Sequence, residues 1–153
     1  MKLYLVCAAL LTGIFAAEAG ASDSLAVGVR GGAALNHSSY NYEAFGDLYI
    51  NRLISIGADV QYVVDEGKVQ RDSSMPITVQ AKLHIPLVPL ISPYLGVGQA
   101  LVFHEHRATK GTQMLVAGID WNLRPTPLFL NLQYRRQIDD RLDFIAGGVG
   151  VKF

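Results

Sequence analysis

From Ile54 onward apolar and polar residues alternate one by one: Ile54, Ile56, Ala58, Val60 and Tyr62 fall on one parity, and Ser55, Gly57, Asp59 and Gln61 on the other. A period of two marks an extended strand with two unlike faces, whereas a helix repeats at about 3.6 residues. The pattern returns as Met75, Ile77, Val79, Ala81, Leu83 and Ile85 against Thr78, Gln80, Lys82 and His84. It returns again as Leu128, Leu130, Leu132 and Tyr134 against Asn131, Gln133 and Arg135. Weaker versions occupy 25–35, 43–50, 94–103, 112–122 and 141–153. Eight strands of about 8–13 residues are therefore predicted.

The connections alternate in character. Segments 36–42, 65–74 and 104–111 are polar, while Asn51-Arg52, the corner 86–93 with its prolines and Arg124-Pro125-Thr126-Pro127 are short or proline-bound. Proline cannot donate to a ladder, so it marks strand ends. Ile138-Asp139-Asp140 reads as a tight seventh turn. Hairpins joining consecutive strands give an up-and-down antiparallel array with longer, wetter loops on one rim.

The first residues do not fit this pattern. Lys2, an apolar stretch over 3–17 and the small residues Ala17, Ala19 and Ala21 before Ser22 have the form of a secretory signal. Residues 1–21 are expected to be cleaved, leaving one domain over 22–153. A membrane anchor over 3–17 is the rival reading, but about 15 apolar residues are short for a span. Cys7 is the single cysteine and falls in the signal, so no disulfide is expected to stabilise the exported domain.

Thirteen basic and thirteen acidic residues cancel, which removes the electrostatic footprint of a nucleic-acid partner. Half of the residues are apolar, too many for a disordered chain. Alternation alone fits a soluble barrel with an oily lumen as well as a membrane barrel with an oily exterior. The composition of the polar parity decides. It mixes Gly28, Gly32, Gly57, Gly96, Gly98, Gly118, Gly148 and Gly150 with Arg30, Asp47, Asp59, Gln61, Gln80, Lys82, Asp120, Asn131, Gln133 and Arg135. Small beside large polar residues suits the narrow lumen of an eight-stranded barrel. The other parity is nearly uncharged, as hydrocarbon demands, with Asp143 the mild exception. Tyr40, Tyr42, Tyr62, Phe103, Trp121, Tyr134 and Phe153 sit near predicted strand ends, where interfacial girdles lie. The fold expected is an all-β, eight-stranded antiparallel up-and-down transmembrane β-barrel.

With the export signal, the hairpin-linked strands and the terminal Gly148-Val149-Gly150-Val151-Lys152-Phe153 in view, the chain resembles the small outer-membrane β-barrels of Gram-negative bacteria, of the OmpA-like or OmpX-like kind. The resemblance covers 22–153. It implies residence in the cell outer membrane among lipids and lipopolysaccharide, assembly through a terminal signal at Phe153 read by the barrel-assembly machinery, and a monomer. The chain ends at the barrel, so a peptidoglycan-binding domain is not expected.

Candidate chemistry is sparse. Arg30, Lys82 and Arg135 are expected to face Asp47, Asp59 and Asp120 across the lumen as a polar plug, with Glu43 nearer the outer mouth; a gated ion pore is the alternative. Arg107, Lys110, Arg136 and Arg141 near the outer rim are candidate contacts for lipopolysaccharide phosphates. His104 and His106 with His37 have the residue types of a zinc or copper site, but solvated loop histidines are the simpler reading. His37-Ser38-Ser39 with Glu43 raises a lipid A hydrolase, although the His-x-Ser pair of the deacylase family has no counterpart in 112–153. His84 reads as a hydrogen-bonded lumen residue. No cofactor and no catalysis are expected. The role predicted is structural or surface-interacting, the alternatives being a soluble periplasmic lipocalin-like carrier and a lipid A-modifying enzyme.

Overall fold

The computed structural model describes residues 24–36, 38–65, 73–85, 90–104, 108–139 and 141–153. The expected signal segment, His37, residues 105–107 and Asp140 lie outside them. Eight strands follow one another: β1 Leu25–Ala34, β2 Ser39–Tyr49, β3 Ile54–Asp65, β4 Ser73–His84, β5 Ile91–His104, β6 Lys110–Asn122, β7 Leu128–Gln137 and β8 Leu142–Lys152. Each pairs antiparallel with the next, and β8 returns to β1 to close the barrel. The closing seam is continuous, from Ala26↔Lys152 through Arg30↔Gly148 to Ala34↔Phe144. Phe153 extends it: its N–H donates to the Leu25 carbonyl at 2.8 Å, and its carbonyl accepts from Ser24 N–H at 2.7 Å.

Strand β2 begins at Ser39, four residues before the expected start at Glu43. Ser39, Asn41 and Glu43 face inward and are buried, so their polarity belongs to the lumen rather than to a loop. Tyr40 and Tyr42 face out. Strand β5 likewise starts at Ile91 and passes through Pro93, whose carbonyl still accepts from Ile85 N–H at 2.8 Å. The turn after β2 is fixed by Asn51, whose side-chain oxygen accepts the Leu53 and Ile54 amides at 2.8 and 2.9 Å.

The two parities part cleanly at the wall. Arg30, Glu43, Asp47, Asp59, Gln61, Gln80, Lys82, Asp120, Asn131, Gln133 and Arg135 are all buried inside. Val29, Leu48, Ile56, Val79, Leu83, Leu95, Val97, Leu115, Ile119, Leu130 and Leu132 are exposed outside. This is a soluble protein's arrangement turned inside out, and it overturns the carrier alternative, which needs the apolar parity in the lumen.

A lumen this narrow fills only if large side chains lie over glycines on the neighbouring strand. A Cβ at Gly118 would run into the Tyr94 ring, one at Gly150 into Phe129 and one at Gly148 into the Arg30 stem, each with a neighbouring backbone carbonyl in the way as well. Gly57 differs, because only side chains stand in the way there, the Asp47 carboxylate first. Gly57→Ala should push that carboxylate off its partner Lys82 and destabilise the barrel by about 1–3 kcal/mol, the usual cost of overpacking. Urea unfolding of the refolded protein in detergent should show Gly57→Ala and Asp47→Asn to be strongly non-additive, since both break one contact.

Candidate functional site

The lumen carries the charge-bearing constellation. Each member sits at an inward position of a strand, so the period of two aims it and the closed wall excludes water around it. Lys82 Nζ, on β4, donates to both oxygens of Asp47 on β2 at 2.7 and 2.8 Å. Arg135, on β7, reaches across to β3 and β2, donating to Asp59 Oδ2 at 2.9 Å, Glu43 Oε1 at 3.1 Å and Gln61 Oε1 at 3.2 Å. Gln80 donates to Asp59 Oδ2 at 3.0 Å. Arg30 approaches Glu43 at 3.0 Å without hydrogen-bond alignment, and its guanidinium carbon lies 3.9 Å from the centre of the Phe45 ring. That face-on contact supplies a cation–π attraction where donor geometry is poor.

One feature adds to the sequence expectation and one differs from it. Glu43, expected nearer the outer mouth, lies closer to the outer end of β2 than Asp47 does and stands between Arg30 and Arg135. Asp120 has no arginine or lysine partner within ion-pair reach among the described residues. Its oxygens take Asn131 Nδ2 at 2.7 Å and the Tyr49 hydroxyl at 3.4 Å, with His84 Nδ1 at 4.0 Å.

His84 belongs to a second cluster that sequence reading only half saw. Its Nε2 lies 2.8 Å from Ser55 Oγ, and its ring stacks at a tilt between Tyr49 and Tyr94 with centroids 5.1 and 5.3 Å away. Ser55, His84 and Asp120 have the residue types of a hydrolytic triad. The 4.0 Å gap at the acid is too long for an orienting hydrogen bond, and burial of all three leaves no approach for a substrate carbonyl. Phe45, Tyr49, Tyr94 and Phe129 complete the filling, and their parity with Asp47, Gly96 and Asn131 was the signal that would have placed them. Ser39 is also buried on the inner face, and its supposed base His37 lies outside the described residues. So do Glu105 and His106 of the metal reading.

At the outer rim, Arg136 and Asp143 face each other on the exterior of β7 and β8 at 3.9 Å. The Tyr134 hydroxyl donates to the same carboxylate at 2.6 Å. Arg141 is exposed at the seventh turn with φ 52°, and its carbonyl accepts from the Asn36 side chain at 2.8 Å, tying the first loop to the last turn. Lys110 opens β6 close enough to Asp139 to act on its charge. Arg107 lies outside the described residues. Lys110, Arg136 and Arg141 thus share one sector of the rim, interleaved with Asp139 and Asp143.

No protein-family model and no curated protein sequence matches the chain. Solved structures do. Neisserial surface protein A is similar over 88% of this chain and 100% of its own, with a TM-score of 0.68 at 15% identity. The fold is that of the small outer-membrane barrels. The N-terminal β-barrel domain of Pseudomonas aeruginosa OprF matches over 86% of this chain and 98% of its own, with a TM-score of 0.65 at 15% identity. The outer membrane enzyme PagL matches over 84% and 98% respectively, with a TM-score of 0.52 at 11% identity. One protein of this architecture is an enzyme, so the fold alone does not decide the role, which has to be argued from the site.

Arg135→Met should leave Asp59 and Glu43 buried without their shared cation and cost about 3–5 kcal/mol, read as a lowered urea midpoint in detergent. Adding Glu43→Gln to that variant should restore part of the loss. At the rim, the Gln113 amide and the Thr112 hydroxyl hold the Asp139 carboxyl below its ordinary value of 3.8. The tie is therefore present above that value and lost as pH falls through the depressed one. The protection factor of the Gln113 amide, taken against the intrinsic exchange rate at each pH, should hold down to pH 3.8 and fall only below it; early loss near pH 6 would contradict the assignment.

Proposed function

We propose that the chain is a monomeric outer-membrane β-barrel protein with a structural or surface-interaction role, its lumen plugged by its own ion pairs and without catalysis or cofactor. The observation that carries this reading is the inversion of sides: a closed ladder with arginine, lysine and carboxylates inside and leucine, valine and isoleucine outside. Only a hydrocarbon surround makes that arrangement favourable. In this reading 1–21 is the cleaved export signal and 22–153 the barrel. Phe153, paired at the seam and half-buried, is the terminal residue offered to the assembly machinery before closure. Arg136, Arg141 and Lys110, with Arg107, meet lipopolysaccharide phosphates at the outer rim.

The plug is favoured over a pore by the way its cations are engaged. Arg135 ties opposite walls together, Lys82 grips both oxygens of one carboxylate, and Tyr94, Phe45 and Phe129 fill the space around them. A lipid A-modifying enzyme is the runner-up, supported by the match to PagL and by the Ser55–His84 hydrogen bond. The burial of that pair weighs against it.

Extraction of the outer-membrane fraction with detergent, followed by gel electrophoresis of boiled and unboiled samples, tests the main reading. A heat-dependent mobility shift in the membrane-extracted band is expected, because a closed barrel resists SDS until its ladder melts. Recovery in the aqueous periplasmic fraction with no shift would reject it. Acyl release from lipid A that disappears in Ser55→Ala would reject the non-catalytic role.

A further inference from the structure

The lipid-facing wall is not uniform. On the β2–β3 side its outer end is aromatic, with Tyr42 opposite Tyr62 and Tyr40 one step above. On the β5–β8 side the same parity turns polar. Gln99 pairs with Gln113, and in the next row down Arg136 pairs with Asp143. These four are the polar interruption in that sector of the exterior, and the β7–β8 turn directly above them places them at the edge of the apolar belt.

Below the amides lies a groove of about 650 Å³ on the outside of the barrel. The strand register gives its course. One row runs Ile54, Leu83, Leu95, Ala117 and Tyr134 from β3 to β7, and the row above it runs Ile56, Ala81, Val97, Leu115 and Arg136. The rows cross five strands, about 19 Å at the spacing of hydrogen-bonded strands. They also climb. Leu83 is the next-to-last residue of β4 before its inner end, whereas Tyr134 and Arg136 are in the outer half of β7. Ala81 and Ala117 leave the depression, and Leu83, Leu95, Val97 and Leu115 wall it. The groove therefore starts near the inner rim in pure hydrocarbon side chains and ends at Tyr134, whose hydroxyl holds Asp143 beside Arg136.

We propose that this groove binds one phosphate-bearing lipid of the outer leaflet, a single acyl chain lying along the Ala81–Ala117 depression and the phosphate at the Gln113–Arg136 corner. The proposal rests on the outer-membrane reading and sharpens it, assigning the rim cations a specific lipid rather than a diffuse attraction. Small outward residues also pair elsewhere on the wall, Gly31 with Gly147 and Gly46 with Ala58. In the groove an apolar slot and donors for phosphate oxygens are continuous, a guanidinium and two amides at the upper end and no outward-facing charged side chain among the lining residues, the Lys82 ammonium being turned into the lumen onto Asp47. Asp143 shares the corner, its carboxylate hydrogen-bonded by the Tyr134 hydroxyl and 3.9 Å from the Arg136 guanidinium, so a phosphate there competes with it for Arg136 and is held by the amides as well.

The test uses the full barrel folded in detergent micelles and titrated with bisphosphorylated lipid A, bound lipid being counted by native mass spectrometry. The heat-dependent gel shift checks that each variant is closed. Ala81→Phe with Ala117→Phe fills the slot from the lipid side, where bulk disturbs no internal packing; Arg136→Gln removes the anchor. Wild type should hold one lipid A, each variant should bind it about three- to tenfold more weakly, and lipid A stripped of phosphate should bind wild type no better than Arg136→Gln binds the intact lipid. Unchanged binding in the double phenylalanine variant with loss in Arg136→Gln overturns the groove and leaves the rim contact standing. Unchanged binding in both overturns the two together. A dimer in wild type that vanishes in the phenylalanine variant assigns the groove to a second copy instead and overturns the proposal, and a wild type without a heat shift removes the membrane reading and the proposal with it.

Discussion

Hydrocarbon offers no partner to a backbone N–H or C=O, and that single constraint orders everything else in this molecule. An open sheet would leave two rows of unsatisfied groups, each costing several kcal/mol in lipid. The β1–β8 seam removes both rows at once, and the pairing of Phe153 with Leu25 carries the closure to the last residue. Closure at eight strands then fixes the bore. The inner face becomes a narrow space that side chains have to fill, and the outer face becomes the surface that solvates the protein in a bilayer. Neither face has the composition of a water-soluble domain, and both follow from the ladder being closed.

Inside, the filling is ionic because the outside is not. A barrel whose wall is one residue thick has room inside for only small apolar clusters, Ala26 with Phe45 and Phe129 and Ala100 with Val102 and Met114, so polarity placed inward has to satisfy itself. Lys82 with Asp47, and Arg135 with Asp59 and Glu43, do this by charge-assisted bonds, while Arg30 leans on the face of Phe45. Buried pairs of this kind contribute modestly when whole and cost several kcal/mol when halved. Glycine is what makes room for them. Gly148 lies under the stem of Arg30 and Gly57 under the carboxylate of Asp47, so a charge and the gap it occupies are specified on different strands.

How much of this was legible in the sequence depends on which rule applied. The alternation in 75–85 and 128–135 is strict, and β4 and β7 lie where it puts them. At 36–42 the same alternation was read as a polar loop, because Ser39 and Asn41 look like surface residues until the lumen is known to be polar. Parity identified which residues enter the lumen but not which of them meet. Arg135 and Glu43 are separated by 92 residues, and their encounter depends on the stagger of the closed barrel, which no local pattern encodes. Ser55 beside His84 was missed because it depends on the β3–β4 register, which alternation alone does not set. The exterior groove was invisible as well, since Ala81 and Ala117 read as ordinary apolar positions until the register sets them side by side with Leu95 and Val97.

The span of the Arg135 contacts bears on how such a barrel can enter a membrane. Its carboxylate partners sit on β2 and β3, on the far side of the lumen from β7. A sheet of the first few hairpins laid into lipid by itself would hold Glu43 beside Arg30 but present Asp59 to hydrocarbon with its cation still outside. Neutralisation of Asp59 arrives only when the last hairpin folds back, which is the movement that also seals the seam. Insertion and closure are therefore one event for this sequence, and the hairpins have to be gathered at the membrane edge before any of them crosses.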